Sequence, residues 1–145
     1  MPLRPLLILL PFLLFSACTA VRDAPPDASL RNTRWVLRTL AAIPITTLES
    51  SQEIYLQFNA TTNQIDGYAG CNRYFGRFEQ STPTTLRLLN IGSTRMFCEA
   101  RQQVEADYLK VLHDATRFKI QGNTLRLYAE KSDEPLAVFE AVYLK

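Results

Sequence analysis

A change of hydrophobic period partway along the chain narrows the choice of fold more than any other feature. In the first half, apolar residues recur at every second position in short runs. "EIYLQFN" places Ile54, Leu56 and Phe58 on one side and Glu53, Tyr55 and Gln57 on the other, the pattern of a half-buried strand. "WVLRTL" puts Trp35, Leu37 and Thr39 on one face, "NRYFGRFEQ" sets Tyr74 opposite Phe75, and "TTLRLLNIG" reads as a further strand. Gly67, Gly70 and Gly76 interrupt these runs where a backbone bends or bulges. "AAIPITTLESSQ", broken by Pro44, reads as a turn-rich connection. The spacing then becomes three-and-four: Val104, Tyr108, Val111, Leu112 and Ala115 predict one amphipathic helix over about residues 97–115, with Glu99 in its first turn. Two alternating runs around Gly122-Asn123 predict a hairpin in which Phe118 and Ile120 face Leu125 and Leu127, followed by a last strand in "PLAVFEAVYL". Strands and helix do not alternate in crossover units, so the class is α+β: a curved antiparallel sheet or half-open β-barrel, its open side or one end covered by the main helix.

The chain has 145 residues, enough for one domain with a real core. Apolar residues make up 47% and charged ones 21%, which speaks against wholesale disorder. The net charge of +2 is spread along the chain, and no basic run tracks phosphates, so nucleic acid is not an expected partner.

The N-terminus has its own character. "MPLRPLLILLPFLLFSAC" carries one early cation, Arg4, then an apolar run from Leu6 to Phe15, then small residues, the order of an export signal. The run is shorter than the roughly 20 residues that span a bilayer, and Pro5 and Pro11 oppose a buried helix. "FSAC" resembles the lipobox of bacterial lipoproteins, with Phe15 where Leu is usual. That resemblance implies a signal over residues 1–17, lipidation of Cys18, a polar proline-stiffened tether over 18–31 and a domain over 32–145. The partner so implied is a membrane, held through acyl chains on Cys18. Thr19, not aspartate, follows Cys18, which by the same resemblance favours the outer membrane, with the domain facing the periplasm.

The chain has three cysteines. If Cys18 is acylated, Cys71 and Cys98 remain, and in an oxidising compartment the simplest use for two thiols is a disulfide. A competing reading takes Cys71, Asn72 and the sole histidine, His113, as a papain-like set. A count of free thiols in the denatured, unreduced protein separates the two. Asn72 after a glycine bend is expected to close a local turn, with contact to a ligand as the alternative. Tyr68, Tyr74, Phe75 and Phe78 are expected in the core and at its lip. The cysteine and histidine spacing matches no zinc pattern, Asp66, Glu79, Glu99 and Glu105 single out no acid–base pair, and no cofactor fingerprint appears, so no cofactor is expected.

"GYAGCNRYFGRF", then "STRMFC", then Glu105, Tyr108 and Leu112 together resemble the META domain of the HslJ-like heat-shock proteins. The matching positions are Gly67, Gly70, Cys71, Asn72, Tyr74, Gly76, Thr94, Met96, Cys98, Glu105, Tyr108 and Leu112, with Phe97 standing where Ala is usual. The resemblance covers about residues 32–145. It implies a curved antiparallel sheet with one helix, export or lipid anchoring, an association with heat shock, antibiotic tolerance or motility, and no established catalytic activity. The architecture is also similar to pilotins, small lipoproteins that help a secretin reach the outer membrane. A non-catalytic binding or protective module is therefore expected, its ligand an unidentified protein or small molecule.

Overall fold

A computed structural model describes residues 26–46 and 52–143 of the chain; the expected signal, Cys18 and most of the tether lie outside them. Among the described residues, nine strands and one helix follow in the order β1 (Arg34–Leu40), β2 (Ile43–Pro44), β3 (Tyr55–Phe58), β4 (Gln64–Tyr68), β5 (Arg73–Glu79), β6 (Arg87–Ser93), α1 (Gln102–Asp114), β7 (Arg117–Gln121), β8 (Thr124–Tyr128) and β9 (Ala137–Val142). The strands form one antiparallel sheet in the order β6-β5-β4-β3-β1-β9-β8-β7, with β2 paired to β1 outside that path. The sheet curls into a half-barrel. Its two ends touch through a bridge between Thr85 and Arg117, held by Leu86 N–H donating to the Thr116 carbonyl and Phe118 N–H to that of Thr84, both at 2.9 Å.

Alternation accounts for most of the core. Ile54, Leu56 and Phe58 of β3 and its approach, Tyr74 and Phe78 of β5, Leu125 and Leu127 of β8 and Phe139 of β9 all face the concave side, and the helix lays Tyr108, Val111 and Leu112 across it. The Tyr108 ring lies 5.8 Å from that of Tyr74 and 6.3 Å from that of Phe139, so one helical residue touches strands from both halves of the sheet. Full burial of side chains of this size contributes about 1.5–3 kcal/mol each. The Gly122-Asn123 turn joins β7 to β8 with Gly122 at φ +56°, and Phe118 pairs with Leu127 as Ile120 does with Leu125.

Three expectations need correction. The helix begins at Gln102 instead of near residue 97, because Met96 and Cys98 are held by the β4–β5 bend and Arg101 still has a φ of −125°, outside the helical range. Glu99 therefore precedes the helix, and Glu105 is the acid of its first turn. In β1 the register against β9 shifts between Leu37 and Thr39. Arg38 is the extra residue of this bulge, so Leu40, not Thr39, returns to the core. Finally, the "AAIP" connection contains the short strand β2, paired with Thr39 and Leu40 of β1.

The outer face is less polar than alternation implies. Val36 and Tyr55, side by side there, are both buried, and the Arg34 guanidinium lies over the Tyr55 ring at 3.9 Å. Arg38 spans Glu53 and Glu140 on the same face.

Candidate functional site

The residues singled out by the sequence converge on the bend between β4 and β5. Gly67 ends up there because nothing else fits: a Cβ would run into the Tyr55 carbonyl oxygen and the Tyr74 ring. Gly70 has φ +116°, outside the range open to other L-residues, and Ala69 N–H donates to the Asn72 carbonyl at 2.8 Å to close the turn. Gly76 faces the Leu89 carbonyl across the β5–β6 bulge, 2.9 Å from where a Cβ would stand.

Cys71 and Cys98 are joined as a disulfide, with Cα atoms 5.8 Å apart and a sequence separation of 27. Beside it, Asn72 is buried and occupied on every side. Its amide nitrogen Nδ2 donates to Glu105 Oε1 at 2.7 Å and to the Met96 carbonyl at 3.0 Å. Its Oδ1 accepts from Thr94 Oγ1 at 2.8 Å and from Met96 N–H at 2.7 Å. Glu105 Oε2 accepts the backbone N–H groups of Cys71 (3.0 Å) and Asn72 (2.7 Å). Both Asn72 amide hydrogens and both acceptor positions of its oxygen are thus used inside the fold. The Asn72 backbone closes the local turn; its side chain makes long-range bonds that no local spacing reveals.

Tyr74 carries the network into the core. Its hydroxyl donates to the Tyr55 carbonyl at 3.0 Å and lies 2.8 Å from that of Tyr108. Burial pushes both phenols well above their ordinary pKa, so neither ionises in the physiological range. On the outer face, lost hydration raises the Asp66 carboxyl, and the nearby Arg73 charge opposes that rise.

The papain-like set is not assembled. Cys71 is in the disulfide, Asn72 is fully bonded, and His113 stands exposed eight residues beyond Glu105 along the helix, roughly 12 Å at the helical rise. His113 instead lies by the helix C-terminus, 3.4 Å from Asp114 Oδ1. The Lys110 hydrogen bond, then that of His113, holds the Asp114 carboxyl below the usual carboxylate range. Among the described residues, no three His, Cys, Asp or Glu side chains converge as a metal site, and no helix is long and apolar enough to cross a membrane.

Two hollows adjoin this region. One, of about 350 Å³, lies over the disulfide and is lined by Asn72, Thr94, Met96, Phe97, Cys98 and Glu105. The Met96 and Phe97 side chains on its rim are largely exposed, Phe97 at 75%. Of the expected core and lip aromatics, Tyr74 and Phe78 are buried, Tyr68 is half-buried with its hydroxyl on the Gly70 carbonyl (2.9 Å), and Phe75 lies 62% exposed on the outer face. The second hollow, of about 440 Å³, runs between α1 and the β1–β2 hairpin and is lined by Leu40, Ile43, Ile45, Val104, Val111 and Leu136, with Asp107, Lys110 and Asp114 on its rim. Sequence reading missed it; its signal was the uninterrupted apolar run "LAAIPI", which has no reason to sit in a solvent-facing turn.

The family model described as the META domain matches residues 28–143. Two solved structures share the fold. An NMR structure of a protein from Burkholderia xenovorans is 22% identical, covering 83% of this chain and 96% of that one, with a TM-score of 0.62. A second NMR structure is also 22% identical, covering 77% and 90%, with a TM-score of 0.60. No curated protein matches.

Proposed function

Because the chain belongs to the META-domain family, we propose that it is a bacterial envelope lipoprotein whose domain acts as a stress-related binding or protective module without catalysis. The observation that carries the non-catalytic reading is the fate of the motif's polar atoms. Asn72, Glu105, Thr94 and the Cys71–Cys98 pair, the residues with chemistry to offer, are consumed by one another and by backbone groups. A catalytic constellation keeps a donor, acceptor or nucleophile aimed at a vacant position beside it. Anchoring through Cys18, export over residues 1–17 and a periplasm-facing location at the outer membrane rest on the leader's resemblance to a lipoprotein signal. The link to heat stress rests on the family resemblance.

The test is acyl labelling and membrane fractionation of the natural chain and of Cys18→Ser. Labelled palmitate should enter the natural protein alone, and the variant should leave the outer-membrane fraction. Unchanged labelling and fractionation would remove the lipoprotein reading. A second reading, an assembly chaperone resembling a pilotin, is favoured by one specific observation: the apolar cleft between α1 and the β1–β2 hairpin.

A further inference from the structure

The β1–β2 hairpin is built against the preferences of its own residues. Leu40 pairs with Ile43 across a two-residue turn whose central residues are Ala41 at φ +46° and Ala42 at φ +65°. Such turns normally take Asn or Gly at both places, because alanine has no compensation for left-handed backbone. The strained turn is fixed by Ala41 N–H donating to the Leu136 carbonyl at 2.9 Å and by Ile45 N–H donating to that of Arg38 at 2.8 Å. Its product is an isoleucine, Ile43, held 66% exposed on the wall of the apolar cleft. Strain retained beside an exposed apolar side chain points to use of that surface.

The rim narrows the choice of occupant. It carries two carboxylates, Asp107 and Asp114, against one ammonium, Lys110. Lys110 is already engaged with Asp114, and Asp107 accepts only a neutral bond from Gln103 Nε2 at 3.0 Å among the rim contacts. The uncompensated Asp107 carboxylate disfavours anionic lipid and favours a cationic partner. The chain's own tether is a poor fit: from Thr19 to Pro25 its single large aliphatic residue is Val21. An added strand is disfavoured too, because Pro44 has no N–H to offer along β2. An apolar wall with one unpaired carboxylate at its rim suits a helix recognised through its side chains.

We propose that this cleft docks a short amphipathic helix of a partner protein, aliphatic residues on one face and Lys or Arg flanking them, the helix-in-groove mode of recognition. The aliphatic face covers Ile43, Ile45, Val104 and Leu136, and a cation meets Asp107. This inference rests on the reading of the domain as a non-catalytic binding module, not on its lipid anchor.

The test uses the exported chain with Cys18→Ser, so that no acyl group competes for the cleft and failure of anchoring is read separately by acyl labelling. The probe is a fluorescent synthetic peptide of about four helical turns, with leucines at i, i+3, i+4 and i+7 and lysines beside them. A second peptide carries glutamates in place of the lysines. The lysine peptide should bind, shifting backbone amide signals of residues 40–43, 45 and 104–111. Ile43→Asp, at an exposed position that the fold does not need, should weaken binding by roughly tenfold or more. Asp107→Lys should shift preference toward the glutamate peptide. Absence of binding, binding indifferent to Ile43→Asp, or equal binding of both peptides to the natural chain would overturn the proposal. So would an Ile43-dependent dimer in sedimentation, which assigns the cleft to a second copy, or Ile43-dependent binding to phosphatidylglycerol vesicles, which assigns it to lipid.

Discussion

Asn72 links three segments that are distant in sequence, and its worth to the fold can be measured at a single atom. Replacing it with alanine leaves Met96 N–H without its acceptor and one Glu105 oxygen without its donor, in a buried setting. Asn72→Ala is expected to lower unfolding stability by about 2–4 kcal/mol, read from urea denaturation. Asn72→Asp keeps the shape and removes the two donors, while placing a carboxylate against that of Glu105. Those like charges repel at close range, so Asn72→Asp should cost at least as much as Asn72→Ala at neutral pH. If Asn72→Asp is instead as stable as the natural chain, Glu105 is not the neighbour of this side chain. Sequence alone found these residues through their resemblance to a family pattern. It could not say what Asn72 does, because its partners Thr94, Met96 and Glu105 lie far beyond the reach of turn chemistry.

At the level of elements, the strands were legible wherever one face meets the core and the other meets water, as in β3 and β5, because alternation is then enforced by burial. It failed where a long-range contact overrode local pattern. The start of α1 is set by bonds from Asn72 and Cys71 to residues 96–98, and the Arg38 bulge by pairing with β9, a strand near the far end of the chain. The seam between helix and sheet, Tyr108 against Tyr74, makes a further expectation. Tyr74 donates to the Tyr55 carbonyl, so Tyr108 is the donor within the pair. Tyr108→Phe therefore leaves the bond to Tyr55 in place, whereas Tyr74→Phe removes both bonds; the second should cost more, about 2 kcal/mol against about 1. Both folded-state phenol pKa values are raised, so the native state holds protons that the unfolded chain has released above about pH 10. Stability should be unaffected by these groups below that pH and fall above it, by roughly 2.7 kcal/mol per pH unit for two phenols. Tyr108→Phe should halve the slope; an unchanged slope would mean that the pair is hydrated.

For the molecule as a whole, closure depends on how chain ends are secured. β1 stands between β3 and β9 and so joins the N-terminal and C-terminal arms of the sheet. The segment just before it works as a strap across the base. Asp27 Oδ1 accepts Gly122 N–H at 2.6 Å, and Ala28 N–H donates to the Gly122 carbonyl at 2.9 Å, which secures the β7–β8 turn. On the other arm, the Arg31 guanidinium donates to the carbonyls of Asn59 (3.1 Å) and Thr62 (2.6 Å) and to Asn63 Oδ1 (2.9 Å), and lies 4.6 Å over the Phe78 ring. Between them, Leu30 offers its carbonyl to Trp35 Nε1 at 3.0 Å. Trp35 is wholly buried and is the sole tryptophan, so it reports on the strap directly. A chain beginning at Thr33 loses all of these bonds and leaves the indole N–H without its acceptor. It should be less stable by about 3 kcal/mol, with tryptophan emission shifted to the red before the cooperative transition. Arg31→Ala should retain the Trp35 bond and lose only about 1 kcal/mol, because its contacts are largely exposed. If the truncated chain unfolds at the same urea concentration as the longer one, the strap holds nothing and the two arms close by sheet pairing alone. If it is destabilised as expected, residues 27–31, which the sequence reading placed in the tether, belong to the fold, and any pull on the N-terminus is delivered to both arms of the sheet at once.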